Sequence, residues 1–328
     1  MKTKKSKLIK TLKIISMIII LIGVAWSVVH FIPSKKIVSS NPWMKTDRTL
    51  ISAHRGGASE NPENTEKAFD SAIFDKHYID IIEIDIHTTK DGEYVIHHDE
   101  TINRMALEEN EEPVAIAETN YSDLLNYNLG RNFEIENNVK PYKDLSIEEA
   151  KTEGLTIMTL EQFLTKYNGY RDFKLLLELK DKGGKANLAA DKVHELFLKE
   201  EYAWWKNRTM IISFTDTVID YIIDNYPDQY VAPLGYKIAP QLIAQTLGLD
   251  SLVSPKYHCL QTRMSNSAGP ITINCATKAM VEGAHKRNQA ITYWTIDNEN
   301  DMQKLIDINA DIITTNEPTK LAKLLNLI

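Results

Sequence analysis

Glu83 and Asp85, followed a dozen residues later by His97 and His98, are spaced for chemistry: a β-hairpin would bring two carboxylates and an imidazole together. From Ile82 to His87 apolar and polar residues alternate, the period of a strand with one special face. Asp91-Gly92 supplies a two-residue turn of type I′, which needs positive φ at both central positions. With that turn, Thr88 faces Val95, His87 faces Ile96, Asp85 faces His98 and Glu83 faces Glu100. Opposed residues of an antiparallel pair project to the same side. His98 is therefore expected beside Glu83 and Asp85, with His97 pointing away alongside Ile84 and Ile86; a slip of one residue would exchange the two histidines.

Two carboxylates about 4 Å apart repel by roughly 4 kcal/mol at an effective dielectric near 20, so a converging cluster calls for a cation. A third ligand is available in Leu175-Leu176-Leu177-Glu178-Leu179-Lys180, an apolar run that fits a buried parallel strand. Charges at the end of such a run need partners or a task. Glu178 reads as a metal ligand and Lys180 as an anion binder; a plain ion pair is the alternative. His54-Arg55-Gly56-Gly57 lies less than thirty residues before the hairpin and adds a second imidazole and a guanidinium.

The elements that must position these groups are apolar runs at 50–53, 81–86, 174–180, 210–214, 230–234, 251–255, 290–296 and 311–314. Helix-compatible stretches such as 64–76, 187–201, 215–225 and 277–287 separate most of them, the alternation of a parallel α/β fold. His54, Glu83, Asp85, Glu178, Lys180 and Trp294 fall late in their runs, where a barrel of such strands collects its catalytic side chains. Residues 100–173 form an insertion, expected to cap that rim.

Several motifs occur in one order: His54-Arg55-Gly56, Pro62-Glu63-Asn64-Thr65 with Ala68-Phe69, Glu83-x-Asp85, Thr89-Lys90-Asp91-Gly92, His98-Asp99 with Arg104, Glu178-x-Lys180, Tyr293-Trp294-Thr295 and Ile312-Ile313-Thr314. Over residues 50–320 the chain resembles the glycerophosphodiester phosphodiesterases. The resemblance implies a distorted (β/α)8 TIM barrel that hydrolyses glycerophosphodiesters to glycerol 3-phosphate and an alcohol with a divalent cation. It implies His54 and His98 as acid and base on opposite sides of phosphorus, as in the related phospholipases, with a cyclic phosphate opened by water. Glu83, Asp85 and Glu178 would hold the cation. Arg55 and Lys180 would neutralise the phosphate, and Trp294 would wall the glycerol or the leaving group, with barrel packing as its alternative role. An all-oxygen ligand set suits Ca²⁺ or Mg²⁺, with Ca²⁺ favoured outside the cell. Asn316 stands where the family usually has Asp, and Asn288-Gln289 where it has Gly; both departures are expected to lie away from the chemistry.

Residues 1–13 are basic, and Ile14 to Ile32 carry no formal charge, giving roughly 28 Å of helix against a hydrocarbon core of about 30 Å. The run is long for a signal-peptide core and lacks an Ala-x-Ala site. An uncleaved anchor is expected, N-terminus inside, with residues 33–48 as a tether and 49–328 as an extracellular catalytic domain. Nine lysines and no acid precede Asp47, leaving 29 basic against 45 acidic side chains beyond, a formal −16. So acidic a body excludes sequence-independent nucleic-acid binding. Cys259 and Cys275 are expected as thiols, with a disulfide the alternative in an oxidising compartment. Among the other histidines, His87 could support the site and His258 could line the rim. Rival functions are the same chemistry on an envelope poly(glycerol phosphate) or a lysophospholipid, and a silent membrane-tethered binding protein.

Overall fold

The computed structural model describes every residue except Met1, Ser39, Arg171, Gly269 and Pro270. Its strands are β1 (Leu50–Ala53), β2 (Ile81–Thr88), β3 (Tyr94–Ile96), β4 (Lys174–Leu179), β5 (Thr209–Ser213), β6 (Tyr230–Pro233), β7 (Cys259–Thr262), β8 (Ser265–Ala268), β9 (Ile271–Asn274), β10 (Ala290–Tyr293) and β11 (Ile312–Thr315). Eight of them form a parallel sheet in the order β6-β5-β4-β2-β1-β11-β10-β7, a nearly closed TIM barrel wrapped by helices. The seam between β6 and β7 is drawn together where the His258 N–H donates to the Val231 carbonyl at 3.0 Å.

Alternation along each strand divides the core. Ile81, Leu176, Met210, Ile212, Cys259 and Ile312 fill the barrel, whereas Ile82, Ile84 and Ile86 face outward into the layer holding Phe69 and Phe163. The expected strand at 251–255 is replaced by β7. Leu252, one of the two aliphatic residues in that run, is 60% exposed, so the run has no apolar face to bury.

The N-terminal helix Lys2–His30 contains the apolar stretch Ile9–Val29, none of which is buried against the protein. The segment after it does more than span a gap. Asn41 Nδ2 donates to the carbonyls of His258 and Asn288, both at 2.7 Å, and the fully buried Trp43 closes the barrel floor among the inner apolar residues. The insertion packs a small core of Ile102, Ile116, Leu124 and Leu129 against Val95 of β3.

Candidate active site

The site begins where β1 ends. After Ala53 the chain turns at once, with Arg55 and Gly56 both in the left-handed region at φ 53° and 84°. A side chain at position 56 would put its Cβ 2.9 Å from that of Ala68, so only glycine seats this turn on the helix Glu66–Asp70. The turn holds His54 with Nδ1 donating to Asn316 Oδ1 at 2.6 Å, a tautomer assigned from the partner. Asn316 is itself fixed by its Nδ2 donating to Asp297 Oδ2 at 2.7 Å. Nε2 of His54 is left with its lone pair. Burial, reinforced by Arg55, holds this imidazole below its ordinary pKa and hence neutral. The departure at Asn316 therefore lies in contact with His54, contrary to the expectation that it sits apart from the site.

On β2 and β4, in-register neighbours place Asp85 opposite Glu178, with Glu83 one inward position earlier. Oxygens of all three come within 4.8 Å of one another. Lys180 Nζ bridges two of them, 2.7 Å from Glu178 and 3.0 Å from Asp85, and Arg55 Nε stands 3.6 Å from Asp85. Asn64 Nδ2 donates to Asp85 at 2.8 Å. Burial would raise the Asp85 pKa, but Lys180 and Arg55 outweigh it and keep this carboxylate charged. Glu83 and Glu178 are pushed the other way, by burial first and then by the Asp85 charge, Glu178 to about 7. Glu83 engages no donor among the described residues. Three converging hard oxygen donors, one orphaned and two costly to charge, fit a divalent cation.

The hairpin differs from its expected register. His87 pairs with Val95 and Ile86 with Ile96, one residue off, because the loop has three residues, Lys90 to Gly92, rather than two. The Thr89 N–H bonds the Glu93 carbonyl, and Gly92 alone takes the left-handed conformation, at φ 87°. Continued pairing would then put His97 at the site, but β3 stops at Ile96. His97 is fully buried, its Nε2 beside the Thr101 carbonyl at 3.1 Å. The chain bends and His98 enters the cavity. His87 Nε2 lies 3.1 Å from the His98 carbonyl and fixes that bend.

From His98 a chain of charges runs back to the carboxylates. His98 Nδ1 is 2.7 Å from Asp99, Arg104 Nε binds Asp99 at 2.7 Å, Arg104 also binds Glu63, and Glu63 binds Arg55 at 2.9 Å. Glu63, Asn64 and Asn316 carry roles that spacing alone did not assign, although the first two sit in a quoted motif. A cavity of about 150 Å³ is lined by His54, Arg55, Glu83, His98, Glu178, Lys180 and Trp294, together with Phe214 and Gln261, while Asp85 lies beneath it at 1% exposure. Among the described residues none of the insertion lines this cavity, although Arg104, from the insertion's first helical turn, joins the charge chain beside it. His258 lies at the barrel floor rather than the rim, and Cys259 and Cys275 are both free, buried thiols.

Comparison with known proteins agrees with this geometry. The glycerophosphodiester phosphodiesterase of Caldanaerobacter subterraneus subsp. tengcongensis is 29% identical over 84% of this chain and 98% of its own. That of Bacillus altitudinis is 25% identical over the same shares. Among solved structures, the glycerophosphoryl diester phosphodiesterase domain of an uncharacterized Mycobacterium tuberculosis protein superposes with TM-score 0.66 at 17% identity, covering 86% of this chain and all of that one. An Oleispira antarctica phosphodiesterase, solved with its product sn-glycerol-3-phosphate, gives 0.60 at 20% identity, over 85% and 97%. The model of the glycerophosphoryl diester phosphodiesterase family matches residues 54–320. With the barrel, the carboxylate triad and the His-Arg-Gly turn all inside that span, the chain belongs to the glycerophosphoryl diester phosphodiesterase family.

Proposed function

We propose that the protein is a divalent-cation-dependent phosphoric diester hydrolase that cleaves glycerophosphodiesters to glycerol 3-phosphate and an alcohol by two-histidine acid/base catalysis. The observation that carries this reading is a single cavity holding two imidazoles beside a carboxylate triad and two cations. His54, neutral and with Nε2 free, takes the proton from the glycerol hydroxyl next to the phosphoester. That oxygen bonds to phosphorus, the bond to the leaving alcohol breaks, and His98 protonates the departing oxygen. In the second step the roles reverse: His98 takes a proton from water, water opens the cyclic phosphate, and His54 returns a proton to the glycerol oxygen. Arg55 and Lys180 hold the phosphate oxygens. A divalent cation held by Glu83, Asp85 and Glu178, Ca²⁺ in preference to Mg²⁺ for a domain outside the cytoplasm, would polarise a phosphate oxygen and lower the pKa of the attacking hydroxyl. The apolar N-terminal helix supports a single membrane pass with the barrel outside.

The test is glycerol 3-phosphate release from glycerophosphocholine by the full chain in detergent. Release that EDTA stops and Ca²⁺ or Mg²⁺ restores is expected. Release indifferent to EDTA would remove the cation from the reading.

A second expected result concerns Asn316. Asn316→Asp places a negative charge against His54 Nδ1 and favours the imidazolium. The base must be neutral, so the acid limb of the pH profile of kcat/KM moves up by about one unit. An unmoved limb would show that His54 is not the base that sets it.

A further inference from the structure

The cavity walls hold more than the reaction above uses. Gln261, the middle of β7, faces inward at 2% exposure, and its Nε2 has no acceptor. The Trp294 indole N–H, also buried, has none either. Phe214 meets Trp294 edge to face with centroids 5.7 Å apart. Two residues beyond Gln261, just past the end of β7, the Arg263 guanidinium carbon lies 5.3 Å from the Trp294 ring centroid.

Arg263 differs from the other cations of this mouth. Arg55 is paired with Glu63 and Asp85, Lys180 with Asp85 and Glu178, and Arg104 with Glu63 and Asp99. Arg263 is exposed and has no carboxylate partner among the described residues. Stacking fixes a guanidinium by its face and leaves its N–H edge to bind. Guanidinium on the indole also occupies a surface that a quaternary ammonium group would otherwise use, and repels one nearby.

Resting on the glycerophosphodiesterase reading, we propose that Arg263, stacked on Trp294 with Gln261 below, forms a second anion subsite. It selects phosphodiesters whose alcohol part carries a further phosphate. The scissile phosphate lies at the triad, Gln261 donates to an oxygen of the intervening alcohol, and Arg263 binds the distal phosphate. On a body of formal charge −16, which repels anions at long range, such a local group is what a doubly anionic substrate requires.

The experiment compares kcat/KM of the full chain in detergent on glycerophosphocholine, glycerophosphoglycerol and glycerophosphoglycerol bearing a terminal phosphate. The wild type is expected to prefer the last. Arg263→Gln should collapse the ratio of terminally phosphorylated to choline substrate by about tenfold, the scale of one charge-assisted contact, and act through KM. Arg263→Lys should keep part of it. Thermal unfolding verifies that both variants remain folded. An unchanged ratio, or an equal loss on all three substrates, overturns the subsite while leaving the activity in place. No release by the wild type from any of the three overturns the glycerophosphodiesterase reading, and the subsite with it.

Discussion

His98→Ala will lower kcat/KM by about 10²- to 10⁴-fold and leave thermal stability nearly unchanged, whereas His97→Ala will do the reverse. The two neighbours differ in environment, not in chemistry. The His98 side chain is partly exposed and turned into the cavity, its Nδ1 engaged by Asp99, so truncation removes a proton carrier and little packing. His97 is fully buried among backbone, and burial holds its pKa down to about 4, so it stays neutral throughout the working range. Removing it opens a cavity and orphans the Thr101 carbonyl, at a cost of about 2–4 kcal/mol. Steady-state kinetics beside urea unfolding separates the outcomes. A folded but inactive His97→Ala together with an active His98→Ala would invert the assignment. His54→Ala should match His98→Ala, since the same proton path needs both ends.

The placement of His98 rather than His97 in the cavity was legible in the sequence, for a reason that the structure replaces. Alternation in Ile82–His87 places Glu83 and Asp85 on the inner face, and that part is direct, because a strand buried on both sides has no other way to present charge. The register was misjudged because Asp91-Gly92 matches a two-residue turn. Asp91 is instead committed to its surroundings, accepting from the Thr89 hydroxyl at 2.6 Å and from the Tyr121 N–H at 3.0 Å. A contact with a residue thirty positions away leaves no local signal. The His-Arg-Gly turn was legible, since a left-handed Gly56 packed on Ala68 ties two quoted motifs together. Asn316 was not. Its importance depends on β11 lying beside β1, a closure between the two ends of the domain that no window of sequence contains. The sixth barrel strand, β7, was missed for a related reason: Gln261 and Thr262 give it a polar end, and the Gln261 side chain belongs to the cavity rather than to packing.

Glu178→Gln will weaken the stabilisation that a divalent cation gives and lower turnover by about 10³-fold, while making the cation-free protein more heat-stable at pH 8. Without a cation the folded state carries Glu178 with a pKa raised to about 7, by burial and by Asp85, against an ordinary value near 4.5. Between those values the folded chain holds a proton that the unfolded chain has released, so stability falls as pH rises through the window. Glu83 is raised in the same direction and extends the decline. The melting temperature in EDTA should therefore drop from pH 5 to pH 8, and a saturating cation should reverse the drop. At a hundred times its dissociation constant the ion adds about 2.7 kcal/mol. A glutamine at 178 removes one of the converging charges, so it flattens the pH dependence in EDTA and weakens the response to cation. The activity loss follows from the several kcal/mol of transition-state stabilisation that a bound cation supplies. Lys180 is paired with Asp85 as well as with Glu178, so one carboxylate remains to hold the phosphate-binding charge when Glu178 is neutralised, and the response of the melting temperature to added cation is the readout that reports on the ion. A variant whose melting temperature still climbs with added Ca²⁺ as the wild type does would remove Glu178 from the ligand set, leaving Glu83 and Asp85 to hold an ion with only two carboxylates.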